Sequence, residues 1–255
     1  MVYGLKSNQL MLEKIRTRLA AMPDNDAVSY ATHMWRHTLD CLETGREDAS
    51  GALPYLPAAP EALGIALSEN DRVLDVGCLG GHGLFDLAWR RQQAGMPLPQ
   101  MTGMDIEYWL PVRELCGDAF DFVAGSAEAL PFADGTFRVV IARLLLPYVR
   151  IESALAELHR VTAGDGLMYL QAHGPGYYRR KLLRSLRNPR TALYYLRPLI
   201  SGVMLQLTGR QRAAPRWRET ALSAGMLERL AVRHGLRVVW RGADADRPLV
   251  VLRRG

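Results

Sequence analysis

The chain is poor in cysteine, and its three, Cys41, Cys78 and Cys116, are irregularly spaced. An odd, scattered set excludes a disulfide framework and reads as reduced thiols in a cytoplasmic protein. Also lacking is any run of about 18 apolar residues, so no segment is expected to span a bilayer. The N-terminus has no apolar stretch of the secretory kind; it runs into Gln9, Glu13 and Lys14, and no signal peptide is expected. Internal repeats and low-complexity tracts are absent, and a hydrophobic content of 49% argues against disorder. The last deficit is local. Residues 166–218 hold eleven Arg or Lys and no Asp or Glu. The whole chain carries +6, so everything outside that segment nets −5. The basicity belongs to one segment and has to be explained there.

What is present is an alternation of short apolar runs and helical patterns. Residues 5–42 read as two helices, on the spacing of Leu12, Ile15 and Leu19 and of Tyr30, Met34, Leu39 and Leu42, separated at residues 22–25. Residues 45–60 are a Pro-, Ala- and Gly-rich linker. Strands are expected at 72–76, 101–106, 120–124, 137–142, 167–171, 236–240 and 248–252. Helices are expected at 81–92, 151–161 and 220–234. Alternating strands and helices imply an α/β fold with a mostly parallel sheet covered on both faces. The short polar loop at 241–247 fits an antiparallel pair at the sheet edge. Residues 172–218, between the fifth strand and the next helix, are an insertion.

Four segments carry the chemistry. In VLDVGCLGGHG, residues 73–83, a buried strand ends near Asp75 and opens through glycines into a helix. Glycines allow a tight turn and close approach of a ligand, and the helix start offers backbone N–H groups. Dehydrogenases use such turns too. A carboxylate inside this one would repel a pyrophosphate but could hold the amino group of an amino-acid moiety. In TGMDIEYW, residues 102–109, Asp105 closes the second strand, where a carboxylate can accept both hydroxyls of a ribose. GSAEALPFADGTFRVV, residues 125–140, puts Ser126 at the end of the third strand, within reach of an adenine edge. AELHRVTAGDGLMYL, residues 156–170, reads as a helix, a Gly-Asp-Gly turn and a strand.

In this order the four segments resemble the class I S-adenosylmethionine-dependent methyltransferase superfamily, in its small-molecule branch, over roughly residues 72–171. The resemblance implies a Rossmann-like, doubly wound, seven-stranded sheet with a C-terminal antiparallel strand pair, N-terminal helices and a helical insertion after strand five. It divides the chain into N-terminal helices and linker (1–68), a cofactor-binding core (69–171 and 219–255) and a basic helical lid (172–218). It implies S-adenosylmethionine as cofactor, lying across Asp75, Gly77, Cys78, Gly81, Asp105, Ile106, Ser126, Ala127 and Arg143. Asp75 and Gly77 would flank its methionine part, Asp105 would take the ribose and Ile106 would pack on adenine, with Ser126 and Ala127 at the adenine rim. The sequence departs from the family pattern at three positions. Leu79 replaces a glycine, with Gly80 beside it to supply backbone freedom; Arg138 replaces an acidic residue; and Ser126 stands for an acidic residue at the adenine edge, with Glu128 near.

Other residues have two readings. His33, His37 and Cys41 share a helix face and could hold zinc, but no fourth ligand has motif spacing, and a packed helix with a polar rim is preferred; no metal is expected. His173, two residues past strand five, and Tyr148, past strand four, are the catalytic candidates, as general base and substrate contact, against ordinary loop roles. In the insertion, Tyr178, Leu182 and Leu186 lie opposite Arg180, Arg184 and Arg187, which predicts a basic amphipathic helix. A mostly apolar stretch interrupted by Pro198 and Gly202 follows. The pair reads as a lid with a solvated basic face, as an anion-binding lid, or as a membrane-surface element that would place the protein at the inner face of the membrane. The aromatics sit in pairs instead of interleaving with the basic residues, which speaks against nucleic acid. The expected activity is methyl transfer to a small molecule, anionic, sugar or lipid-linked. The alternatives are a catalytically silent cofactor-binding protein and an NAD(P)-dependent oxidoreductase.

Overall fold

The computed structural model describes residues 5–22, 26–44, 56, 58–106, 120–211 and 219–255. Most of the 45–60 linker, Glu107, Tyr108, Trp109, Cys116 and Arg218 therefore lie outside the described residues. Two helices, α1 (Leu5–Ala20) and α2 (Asp26–Thr44), precede the sheet. Then come β1 (Arg72–Val76), α3 (His82–Gln93), β2 (Gln100–Asp105), β3 (Asp121–Ala124), β4 (Phe137–Arg143), α4 (Ile151–Val161) and β5 (Thr162–Gln171). Two more helices follow, α5 (Pro175–Arg184) and α6 (Pro189–Thr208). The chain ends with α7 (Ala224–Arg233), β6 (Leu236–Arg241) and β7 (Leu249–Arg254).

The described strands form one seven-stranded sheet in the order β3-β2-β1-β4-β5-β7-β6. The pairs from β3 through β5 are parallel, and β7 runs antiparallel to both β5 and β6. The expected doubly wound sheet with a terminal antiparallel pair is what the chain forms. Strict alternation along the strands explains the two covered faces. Leu74, Val140, Ala142, Met168 and Leu170 join a core with Leu155 and Leu158 of α4 and Leu227 and Leu230 of α7. Val73, Val139, Ile141, Leu167 and Tyr169 join the opposite core with Ile15, Leu19, Trp35, Leu39 and Leu84. Ile15 and Leu19, chosen from helical spacing, are both buried.

Four sequence expectations change. β5 starts at Thr162 and not at Leu167, because the Gly-Asp-Gly stretch stays within the strand. Phe137 pairs with Thr162 and Val139 with Leu167, so the extra residues bulge out opposite Arg138. Arg138 forms an ion pair with Asp165 on this bulge, which gives the unexpected arginine a partner. The last long helix starts at Ala224 and not at Thr220, since the Ser223 side chain accepts the N–H of Met226 at 3.3 Å and caps it. The basic helix α5 stops at Arg184, leaving Leu186 in a turn and 62% exposed; Asn188 then caps α6 through the N–H of Thr191. Pro198 and Gly202 do not interrupt the apolar stretch: both are buried within the single 20-residue helix α6.

Trp35 of α2 joins the N-terminal helices to the core. It is fully buried, its ring lies 5.3 Å from that of Phe85, and its Nε1–H donates to the Gly80 carbonyl at 3.2 Å. Trp35→Ala is expected to cost about 3–5 kcal/mol, mostly from the cavity. Trp35→Phe, which keeps much of the packing and loses the hydrogen bond, should cost nearer about 1 kcal/mol. Denaturant unfolding of both variants checks the order; equal losses would show that the indole N–H, not the ring, does the anchoring.

Candidate functional site

The carboxyl ends of β1 and β2 bring the first two motifs together. Asp75 and Gly103 are register partners, and Asp75 is 1% exposed. The turn after β1 places Gly77 and Gly81 in the left-handed region, at φ 78° and 81°. Leu79 lies there as well, at φ 51°, whereas Gly80 does not. The expected compensation by Gly80 is thus corrected: the non-glycine residue itself takes the strained backbone, at a cost of about 1–2 kcal/mol. What holds it is Asp105. The Leu79 N–H donates to Asp105 Oδ2 at 2.9 Å, and the Ile106 N–H donates to Oδ1 at 2.8 Å. The turn is clamped on its other side by the Trp35 bond to Gly80. Ile106, next to the carboxylate, is 73% exposed, an apolar side chain presented to solvent at a strand end.

The third motif is held by a salt-bridged clip. Arg160 reaches Glu157 and Asp134 at 2.8 Å and the carbonyls of Leu130 and Phe132, while Glu157 accepts the N–H of Leu130 at 2.7 Å. Ser126 is exposed, and its hydroxyl accepts the Glu128 N–H at 3.2 Å. Glu128 is engaged elsewhere, accepting the Arg150 N–H at 2.7 Å and pairing with its guanidinium, so it does not stand in at the adenine edge. The side chain of Ala127 is in the core, which leaves only its backbone for a ligand. Cys78 is buried, with Sγ 3.5 Å from the Leu79 carbonyl oxygen. Arg143 ends β4 and donates to the Gln171 side chain at 2.8 Å. His82, first residue of α3, has its pKa pushed down to about 4 by burial, then by Arg143 and His37, so it is neutral at pH 7. His37 also contacts Cys41, at 3.7 Å; among the described residues no group of three or more His, Cys, Asp or Glu could hold a metal.

The two catalytic candidates border one cluster. His173 stacks on Tyr177 with ring centroids 4.1 Å apart, and its buried Nδ1 has no hydrogen-bond partner. Burial, then Arg247 and Lys181, push its pKa down to about 4. It is therefore a neutral imidazole at pH 7. Tyr148 is half-exposed and lies near a residue the sequence reading passed over, Glu219, whose charge, after burial, holds its pKa up. The same carboxylate accepts the hydroxyl of Tyr178 at 2.8 Å, and Tyr194 also lies within its field. The neighbouring residues 220–222 are buried and thread between three elements: Thr220 N–H donates to the Pro147 carbonyl, Ala221 N–H to Pro198 and Leu222 N–H to His173, each at 3.0 Å. Gly202 makes room for this passage, since a Cβ there would meet the Ala221 oxygen at 2.5 Å. The available sequence signal was that Glu219 is the first acidic residue after the acid-free run.

A family profile described as a methyltransferase domain matches residues 74–170. The chain is 37% identical over 156 residues to the ubiquinone/menaquinone biosynthesis C-methyltransferase UbiE of Methylobacterium nodulans, covering 58% of this chain and 60% of that one. It is 30% identical over 161 residues to the biotin biosynthesis bifunctional protein BioHC of Cellvibrio japonicus, covering 62% of this chain and 29% of that one. The chain thus spans less than two thirds of the length of either relative. The crystal structure of a TehB-like SAM-dependent methyltransferase from Corynebacterium glutamicum superposes with a TM-score of 0.53 at 13% identity, covering 90% of this chain and 98% of that one, and shows the same fold. The glycine turn closed against Asp105 and the seven-stranded sheet thus accompany a match to a methyltransferase domain over residues 74–170, in a chain with the fold of the S-adenosylmethionine-dependent methyltransferases.

Proposed function

We propose that this protein transfers a methyl group from S-adenosylmethionine to a small, apolar or lipid-linked acceptor. The observation that carries the cofactor reading is the Asp105 carboxylate, fixed at the carboxyl end of β2 by the N–H of Leu79 and of Ile106. Each oxygen accepting one backbone bond keeps capacity for a ribose hydroxyl. The residues around it suit the rest of the molecule: exposed Ile106 offers an apolar face to adenine, and Gly77 keeps a Cβ out of the turn, where it would meet Leu145 at 3.2 Å. Asp75 and Gly77, with Cys78 and Gly81, would line the methionine end; Ser126 and the Ala127 backbone would line the adenine rim; Arg143 would close the cleft from β4. When bound, the cofactor supplies a methyl group already activated on a sulfonium, so the chain's own task is to position the two reactants and exclude water.

The acceptor side of this reading rests on α5 and α6 as a lid. On α6, Leu193, Leu196, Ile200, Val203 and Leu207 recur at helical spacing and are 38–78% exposed, a continuous apolar stripe. Arg184, Arg187 and Arg190 flank its start. Among the described residues no helix is long and apolar enough to cross a membrane, and this combination suits one that lies on an anionic surface. Arg180 contributes little to such a face, because it pairs with Asp246. The name of UbiE, a ubiquinone/menaquinone biosynthesis C-methyltransferase, agrees with an apolar acceptor.

Three outcomes are expected. Titration calorimetry should show binding of S-adenosylmethionine and of its demethylated product but not of NAD; the reverse would replace the methyltransferase reading with an oxidoreductase one. Asp105→Ala should weaken cofactor binding by about 1.5–3 kcal/mol and Asp105→Asn by less, because a charged acceptor is lost in the first case and a neutral one remains in the second. Unchanged affinity in the alanine variant would mean that the ribose lies elsewhere. In vesicle sedimentation, Val203→Glu with Leu207→Glu should abolish binding to anionic lipid. Replacing Arg184, Arg187 and Arg190 by Gln should weaken it by roughly 1 kcal/mol per residue, with cofactor affinity changed by less than about threefold. A wild-type protein that stays off anionic vesicles would rule out the membrane role.

A further inference from the structure

The cluster around Glu219 stands apart from the cofactor turn yet next to it. Leu145, which fills the space beside Gly77, is three residues before Tyr148 in the same turn after β4. Glu219 is held there from three directions. Its own backbone neighbours are bonded to the loop after β4, to His173 after β5 and to the middle of α6. Its carboxylate accepts the hydroxyl of Tyr178 of α5 at 2.8 Å, and Tyr148 of the first of these and Tyr194 of α6 lie close enough to feel its charge. The rings of Tyr177 and Tyr178 pack edge to face at 5.1 Å, and His173 stacks on the first of them. Tyr148 and Tyr194 are 49% and 50% exposed, so the cluster is open on the side they face. Strand carboxyl ends β4 and β5 border the crevice in a doubly wound sheet, and the cluster sits at both.

A carboxylate ringed by tyrosine hydroxyls has a definite chemical preference. It accepts hydrogen bonds and repels anions, and the aromatic walls favour a flat or apolar body. We propose that Glu219 anchors the acceptor, taking the hydrogen bond of an O–H or N–H on an aromatic or similarly flat molecule, with Tyr148 and Tyr194 as the walls that yield to it. This rests on the methyltransferase reading above and narrows it: the reacting end is a hydrogen-bond donor, not a carboxylate or phosphate, whatever the charge on the lid's outer face attracts. Electron bookkeeping is simple. The acceptor's X–CH3 bond forms as the cofactor's S–CH3 bond breaks, the sulfonium becomes a neutral thioether, and the proton of X–H passes to the Glu219 carboxylate. His173, neutral and stacked on Tyr177, helps to orient the tyrosines.

The probes are three benzene derivatives that differ in one group: phenol, which donates a hydrogen bond; anisole, which does not; and benzoate, which is an anion. Their binding to the protein loaded with S-adenosylhomocysteine is followed by ligand-observed NMR, after calorimetry has shown that the load is bound. Wild type should bind phenol about tenfold more tightly than either of the others, the difference a hydrogen bond to a charged group makes. Glu219→Gln removes the charge and keeps an acceptor oxygen, so benzoate should gain on phenol by about tenfold while cofactor affinity stays within about threefold. Tyr194→Phe, a change at a half-exposed side chain that removes a competitor for the carboxylate, should widen the phenol–anisole gap. The proposal is overturned if phenol, anisole and benzoate bind wild type alike, if phenol does not bind at all, or if the ratios are the same in Glu219→Gln with its cofactor bound. Failure of calorimetry to show the load at all is a different result and overturns the methyltransferase reading instead.

Discussion

The parallel pairing of β1 with β2 on one side and with β4 on the other is the constraint from which the rest follows. The chain must leave β1 toward one neighbour and return later to the other, so the connections on its two sides cover opposite faces and part above its carboxyl end. The glycine turn caps β1, Asp105 ends β2, Arg143 ends β4 and His173 follows β5. Burial of both faces is what makes the gap stable: side chains of β1, β4 and β5 alternate between two separate cores, and a slip of one residue would exchange them.

On the cofactor side the structure spends backbone strain at one residue. Leu79 adopts a left-handed conformation that glycine would take freely, and the bond from its N–H to Asp105 holds it there. The turn and the Asp105 carboxylate are therefore mutually dependent, and Trp35 of α2 fixes the opposite edge of the same turn. An N-terminal helix that sequence periodicity marks only as a packed cover is thus part of the site's support.

On the other side of the crevice, residues 219–222 act as a strap. Its N–H groups satisfy carbonyls from three different elements, which is why the segment stays extended and buried and α7 is delayed until Ser223 can cap it. The same strap carries Glu219 into a ring of tyrosines. The region is chemically two-faced: acidic and aromatic around Glu219, basic and apolar on the exposed surface of α5 and α6.

Local patterns were enough for the sheet and for the cofactor turn. Strand positions follow from short apolar runs, and the places of Asp75, Gly77, Gly81 and Asp105 at the strand ends follow from motifs in which spacing along the chain nearly equals spacing in space. Sequence also located the segment after β5 by its charge, but misjudged where its first helix ends and whether Pro198 breaks the second. Helix α6 runs through the proline because Pro198 and Gly202 are buried against the strap, whose Ala221 N–H bonds to the Pro198 carbonyl. Periodicity reports the face a helix offers, not the partner that covers it. The pairing of Arg180 with Asp246, the diversion of Glu128 to Arg150 and the meeting of Tyr148, Tyr178 and Tyr194 on Glu219 join residues from 22 to 71 positions apart. Local sequence determined which side chains lie at the strand ends. Which of them remain available there was decided only when distant segments supplied their charge and hydrogen-bond partners.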